Sequence, residues 1–261
     1  MAGYGSFPLE VAAELCAQGM DVHIVAAREE TSPEIEQYAA SLCWLHVGQL
    51  GGMIRTFKQA GVSQVIFAGK VKKLHLFRNF KPDLTALKVL AKMGDLRDNT
   101  LLCAIADELR KHGLETVSQL IMPQMLAAEG LLCGPRLSKK AKKDIEFGYG
   151  QARGIAALDI GQTIVVQKQT VMAVEAIEGS DGAIVRGGNL GNGKAVVIKV
   201  EKPNQDQRFD VPAVGVDTLH AMHAHGCTTL AIEAHKTLIL QRESFFKTAS
   251  SYKISVFGIS S

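Results

Sequence analysis

DVHIVAA, Asp21 to Ala27, and QVIFA, Gln64 to Ala68, are the two stretches that decide the fold. Each is a short, almost continuous apolar run, the pattern of a strand buried on both faces. Between them GGMIRTFKQA, Gly51 to Ala60, carries helical spacing. Such alternation through the first 130 residues implies a parallel α/β sheet.

Working outward, the chain opens on AGYGSFP, Ala2 to Pro8, a glycine-rich turn leading into a helix with Val11, Ala12 and Leu15. Such a turn normally follows a first strand. With none ahead of it, the sheet is expected to lack one strand and the turn to have nothing holding it. Gly3 and Gly5 would let backbone amides approach an anion at the helix N-terminus. The dinucleotide fingerprint is not completed, because Pro8 stands at the third glycine and Val25 to Ala27 runs into Arg28 rather than an acid.

A chain of 261 residues, 47% hydrophobic and 21% charged, can bury a sizeable core in two modest domains. LLCGPRLSKKAKKDIEF, Leu131 to Phe147, has the composition of a boundary or exposed connection, which places the junction near Gly134. The expected fold is therefore α/β: a Rossmann-like parallel domain over 1–133, its first strand missing, and a mixed α/β domain with antiparallel strands over 134–261. In the second part Gln162 to Gln167, Thr170 to Ile177 and Ala195 to Val200 read as strands, the first two as an antiparallel pair. Val216 to Gly226 reads as a helix, Thr229 to Ile232 and Leu238 to Leu240 as strands, Ser244 to Ser251 as a helix, and Ile254 to Phe257 as a last strand.

The net charge of +3 and the lack of an RNA-binding or zinc-finger pattern argue against nucleic acid as a partner. The five cysteines form no C-x-x-C pair, which fits a reducing cytosolic compartment rather than a disulfide framework. No apolar run approaches the roughly 20 residues of a membrane span, so contact with a membrane is expected to be peripheral.

The chemistry concentrates in KVEKPNQDQRFDVPAVGVDT, Lys199 to Thr218, with three cations and four acids in a proline-containing stretch where core-building is not expected. Lys199, Lys202 and Arg208 could hold phosphate oxygens, while Asp206 and Asp210 could hold a divalent cation or steer a water. VEAIEGSD, Val174 to Asp181, adds Glu175, Glu178 and Asp181 around a Gly-Ser turn. FAGKV, Phe67 to Val71, ends a strand where open α/β sheets bind ligands, making Gly69 and Lys70 candidate contacts, although a solvated loop reads equally well. Leu74, Leu76, Phe77 and Phe80, interleaved with Lys73, Arg78 and Lys81, suit an acyl chain with an anionic headgroup, or the core. Asp98 reads as a helix cap, and His220, His223 and His225 as surface or packing histidines rather than a metal site. No G-x-S-x-G is present, so Ser180 is not read as a nucleophile.

AGYGSFP, FAGKV, LDIGQ (Leu158 to Gln162), VEAIEGSD and KPNQDQRFDVPAVG together resemble the LpxI-type UDP-2,3-diacylglucosamine pyrophosphatases of lipid A synthesis, over essentially the whole chain. The resemblance implies a cytoplasmic hydrolase, dependent on Mg²⁺ with Mn²⁺ as an alternative. Its reaction would cut the pyrophosphate of a UDP-linked diacylglucosamine to UMP and 2,3-diacylglucosamine 1-phosphate (lipid X), with the ligand between two domains. A homo-oligomer and attachment to the cytoplasmic face of the inner membrane are compatible with it. By matching positions, Asp210 is the essential aspartate, and Gly5, Ser6, Phe67, Ala68, Gly69 and Asp181 lie near the sugar phosphate. Lys70, Lys202 and Gln205 complete the expected contacts, Lys199 and Arg208 join Asp210 as catalytic candidates, and Asp206, Asp210 and Glu178 are the expected metal ligands. Ser180 replaces a usual threonine, Asp98-Asn99-Thr100 replaces a GDDA-type run, and His235 stands where the family tends to have glycine. Two rivals remain at this level: a sugar-nucleotide sensor without catalysis, and a nucleotide-dependent oxidoreductase.

Overall fold

The computed structural model describes residues 1–70, 80–93, 98–203 and 206–260. By contact density the chain forms two units, Met1–Met122 with Asp206–Phe209, and Pro123–Gln205 with Asp210–Ser261. Gly134 lies inside the second of these. The architecture is α/β throughout, as the alternating pattern requires.

In the first unit, helix α1 (Phe7–Ala17) precedes parallel strands β1 (His23–Ala27) and β2 (Ser41–Leu45), paired from His23↔Ser41 to Ala27↔Leu45. Helix α2 (Leu50–Gln59) follows, and then β3 (Gln64–Val65), which pairs in parallel with β4 (Glu115–Thr116). Helices α3 (Leu84–Leu90) and α4 (Asp98–Lys111) lie between β3 and β4 in sequence. Val25, Met53, Ile54, Phe57, Val65 and Leu109 form the core of this unit.

The opening turn has more to hold it than the sequence suggested. Ala2 bridges in parallel to both Ala26 and Ala68, and Tyr4 bridges to Lys70. The Gly3 amide donates to the Ala68 carbonyl at 2.8 Å, and the Thr31 hydroxyl donates to the Ala2 carbonyl at 2.7 Å. Residues 2–4 thus occupy the position between β1 and the run after β3. Below them a cavity of about 450 Å³ is lined by His23, Ile24, Gln64, Val65 and Phe57, among others. Gly69 must be glycine: its φ is +87°, and a Cβ there would meet the Tyr4 carbonyl oxygen at 2.7 Å and Pro8 at 2.8 Å.

The second unit is built on a six-stranded sheet in the order β5-β12-β10-β8-β6-β7. Strands β8 (Ala195–Lys199), β10 (Cys227–Glu233) and β12 (Ser255–Ile259) are mutually parallel in the centre. Strand β5 (Gly130–Cys133) closes one edge antiparallel to β12. On the other side β6 (Thr163–Gln167) and β7 (Thr170–Val174) form the antiparallel pair read from the sequence, with Thr163 opposite Lys199. Helices α7 (Val216–Ala224) and α8 (Arg242–Ser251) carry Leu219, Met222 and Phe245, all fully buried, onto this sheet. A two-stranded piece joins β9 (Ala213–Val214) to β11 (Leu238–Ile239).

Three readings are corrected here. The lysine run is not a connection but the first turn of helix α5 (Lys139–Ala157), whose Ser138 hydroxyl accepts from the Ala141 amide at 3.1 Å. The lysines face solvent while Ile145, Gly148 and Ala152 are buried. The Gly-Ser turn of VEAIEGSD opens helix α6 (Gly179–Leu190), where Asp181 complements the helix dipole. Finally, Lys199 to Thr218 does contribute to the interior: Lys199 ends a fully buried strand and Val214 is 1% exposed. At His235 the chain takes φ 60°, the left-handed region that glycine occupies without penalty and other residues at about 1–2 kcal/mol.

Phe245 fills the centre of the second unit at 0% exposure. Phe245→Ala is expected to lower the unfolding free energy by about 3–5 kcal/mol, read as a drop in urea midpoint at constant m-value.

Candidate functional site

The first unit carries one group of site residues. Gly5 has φ +103°, and Ser6 is the N-cap of α1 without a side-chain cap bond, so the first amides of the helix are not covered by it. The Phe67 carbonyl accepts from Gln119 Nε2 at 2.7 Å, and that same nitrogen donates to the Phe209 carbonyl at 3.3 Å. The rings of Phe67 and Phe209 meet edge to face at 5.4 Å. Ser118 Oγ and the Gln119 amide both donate to the Gln207 carbonyl, at 3.2 and 3.0 Å. The buried Gln119 therefore joins FAGK to DQRF, a role that the sequence did not signal because a lone glutamine has no motif.

Within DQRF, Asp206 and Arg208 clasp each other. Arg208 Nε and Nη2 donate to the carboxylate at 2.9 and 2.6 Å, and the Arg208 amide donates to Oδ1 at 3.0 Å. These bonds hold the Asp206 carboxyl below its usual range against the opposing effect of burial, and raise the Arg208 guanidinium. Arg208 also lies over the Phe209 ring at 5.1 Å. Cys103 Sγ donates to Asp206 Oδ2 at 3.6 Å, and burial followed by that carboxylate pushes its thiol up.

The second unit carries the rest. Lys199 is 9% exposed and donates to Ser180 Oγ at 3.1 Å and to the Ala213 carbonyl at 2.9 Å. Ser180 donates to Glu175 Oε1 at 3.1 Å and meets Thr163 Oγ1 at 2.9 Å, while Glu175 Oε2 accepts from the Gln162 amide at 3.2 Å. Gln162 Oε1 is buried with no partner among the described residues. Lys202 reaches Asp159 at 2.7 Å. At the end of β10, Glu233, at 0% exposure, accepts from Tyr149 at 2.9 Å, from Arg153 at 3.3 Å and from the Glu201 amide. The carboxylate raises the Tyr149 hydroxyl in turn, after burial. Asp210 and Asp181 are both exposed. The histidines pack: His220 bonds the Tyr252 hydroxyl at 2.9 Å, His223 stacks on the Tyr252 ring at 3.9 Å, and His225 bonds Asn189 at 2.8 Å.

Two of the three expected metal ligands already have cationic partners, and the third, Asp210, is exposed. Asp206 is engaged by Arg208, and Glu178 is ion-paired with Arg186. No group of three or more His, Cys, Asp or Glu side chains among the described residues converges in a metal-holding arrangement. An exposed carboxylate such as Asp210 could hold a magnesium ion whose other positions are filled by a ligand's phosphate oxygens and water. Gln205 and the apolar run Leu74, Leu76 and Phe77 lie outside the described residues; Phe80 is half-buried, its ring close to Gly48.

Residues 1–125 match the family described as the LpxI N-terminal domain, and residues 128–257 match the LpxI C-terminal domain. The UDP-2,3-diacylglucosamine pyrophosphatase LpxI of Caulobacter vibrioides is 31% identical over 271 aligned positions, spanning 99% of this chain and 96% of its own length.

The Asp206–Arg208 clasp sets a pH dependence. Because the carboxyl is depressed in the folded state, its contribution is complete above the unfolded value near about 3.9 and disappears as pH falls through the folded value. The stability gap between wild type and Asp206→Asn, measured by urea unfolding, is therefore expected to be full at pH 7 and to close on acidification. A gap constant across that range would show that the clasp is not responsible.

Proposed function

Because the chain belongs to the LpxI family, both of whose domains it contains, we propose that it hydrolyses the pyrophosphate of UDP-2,3-diacylglucosamine. Water adds to one phosphorus, the bridging P–O bond breaks, and UMP and 2,3-diacylglucosamine 1-phosphate leave. The observation that carries this reading is the match to both family domains along the chain; Asp210 lies within the C-terminal match, in the RFDVP stretch that contributes to the resemblance.

Asp210 follows the DQRF clasp directly and precedes Val211, Pro212, Ala213 and Val214, of which all but Ala213 are buried. An exposed carboxylate on such an anchored strand entry keeps its position while remaining available to ligand. In this proposal Asp210 orients the attacking water and accepts its proton. Mg²⁺, held by Asp210 and the substrate's own phosphate oxygens, would supply charge neutralisation of the diphosphate. Gly5, Ser6, Phe67, Ala68, Gly69 and Lys70 are proposed contacts in the first unit, and Asp181 and Lys202 in the second. Arg208 is assigned to holding Asp206 and the turn ahead of Asp210. Attachment to a membrane surface and a homo-oligomeric state belong to the same proposal.

Incubation of the purified protein with UDP-2,3-diacylglucosamine is expected to release UMP in Mg²⁺ and not in EDTA. Asp210→Asn is expected to lower kcat by about 10²-fold or more with an unchanged melting temperature. Tight binding of the UDP-sugar without turnover in Mg²⁺ would sink the hydrolase reading in favour of a sensor.

A further inference from the structure

The second unit contains a chain of hydrogen-bonded polar groups close in sequence to Asp181 and Asp210: the half-buried Glu175 and Ser180, the buried Lys199, and the Ala213 carbonyl. Each link is a hydrogen bond of 2.9 to 3.1 Å. A serine hydroxyl has one proton to give and two lone pairs to fill. Ser180 gives its proton to Glu175 and accepts from Lys199, whose ammonium has only donors. The remaining contact, with Thr163, then has Thr163 as donor. Every hydrogen-bonding position of Ser180 is thereby used, and none is left for attack on a substrate.

The ends of this chain are what give it meaning. Ser180 is the residue before Asp181, in the first turn of α6. Ala213 lies shortly after Asp210 on a segment with little slack: Pro212 has a fixed φ, its carbonyl accepts from the Leu238 amide at 2.8 Å, and Ala213 and Val214 pair with β11. Movement at Ala213 must pass to Asp210 through two residues, one of them proline. Resting on the hydrolase reading above, we infer that Lys199 is a positioning residue rather than a contact of the substrate. Together with Ser180 and Glu175 it sets the register of the Asp210 segment against the N-terminal turn of α6. A buried ammonium suits this task, because its hydrogen bonds are strong in a low-dielectric setting and expensive to leave unmade.

The test uses Ser180, whose truncation leaves the fold's buried charge and its Ala213 bond in place. Ser180→Ala is expected to lower kcat by about 10- to 100-fold with KM within about twofold, the signature of misplacement, and Ser180→Thr is expected to restore it. Amide hydrogen exchange over Val211–Val214 in the unliganded Ser180→Ala protein is expected to be faster than in wild type. Wild-type kcat, a loss confined to KM, failure of threonine to restore turnover, or unchanged exchange would each overturn the inference. Exchange needs no substrate. A wild-type protein that leaves UDP-2,3-diacylglucosamine intact, while exchange over Val211–Val214 still rises in the variant, would sink the hydrolase reading and leave the positioning chain standing.

Discussion

Burying charge at the carboxyl end of a parallel sheet is the constraint on which the rest of the second unit depends. Strand β8 ends on Lys199, with Glu201 two residues beyond, and β10 ends on Glu233, at 9%, 8% and 0% exposure. An ionised group removed from water must be supplied with hydrogen bonds there. The need is met from several directions: Tyr149 and Arg153 come from α5, Ser180 from α6, and the Ala213 carbonyl from the strand entry after Asp210. Those groups serve Lys199 and Glu233, while Lys236 lies 3.9 Å from the Glu201 carboxylate. The exposed acids, Asp181 and Asp210, are attached to the same supports.

The first unit solves a different problem with backbone. Its glycine turn, residues 2–4, is pinned by Ala26, Ala68 and Lys70, and the close approach at Gly69 leaves no room for a side chain. DQRF belongs to this unit although the residues on both sides of it belong to the other. Its retention rests on Gln119, which serves two carbonyls with one amide nitrogen, and on the internal Asp206–Arg208 clasp. A short segment without regular structure keeps its shape because nearly all its polar groups have local partners.

The legible parts of this fold are those with a period. Asp21 to Ala27, Gln162 to Gln167 and Ala195 to Val200 read as strands because unbroken β-branched runs have few alternative uses, and all three appear within a residue or two of the expected bounds. The lysine run was misread because charge density dominates a short window, whereas α5 declares itself only over its full length, through Ile145, Gly148 and Ala152. VEAIEGSD hid a helix start behind a glycine with φ +79°. Of the site, the motif residues could be named from their types. Gln119, Thr163 and Glu233 could not, since their roles exist only through partners far away in sequence.

The same geometry weighs on the oxidoreductase alternative. Completing a dinucleotide fingerprint would require a third glycine where Pro8 packs at the start of α1, a ring that lies against the Gly69 backbone closely enough to exclude a Cβ there. The ribose-binding acid should follow β1, but the first acid after it, Glu29, is already paired with His46, and that pairing holds its carboxyl below the usual range despite burial. What this turn keeps is two glycines and a helix N-terminus, the elements that let backbone amides approach a phosphate. In the function proposed above, this turn is the part of the first unit offered to the sugar phosphate.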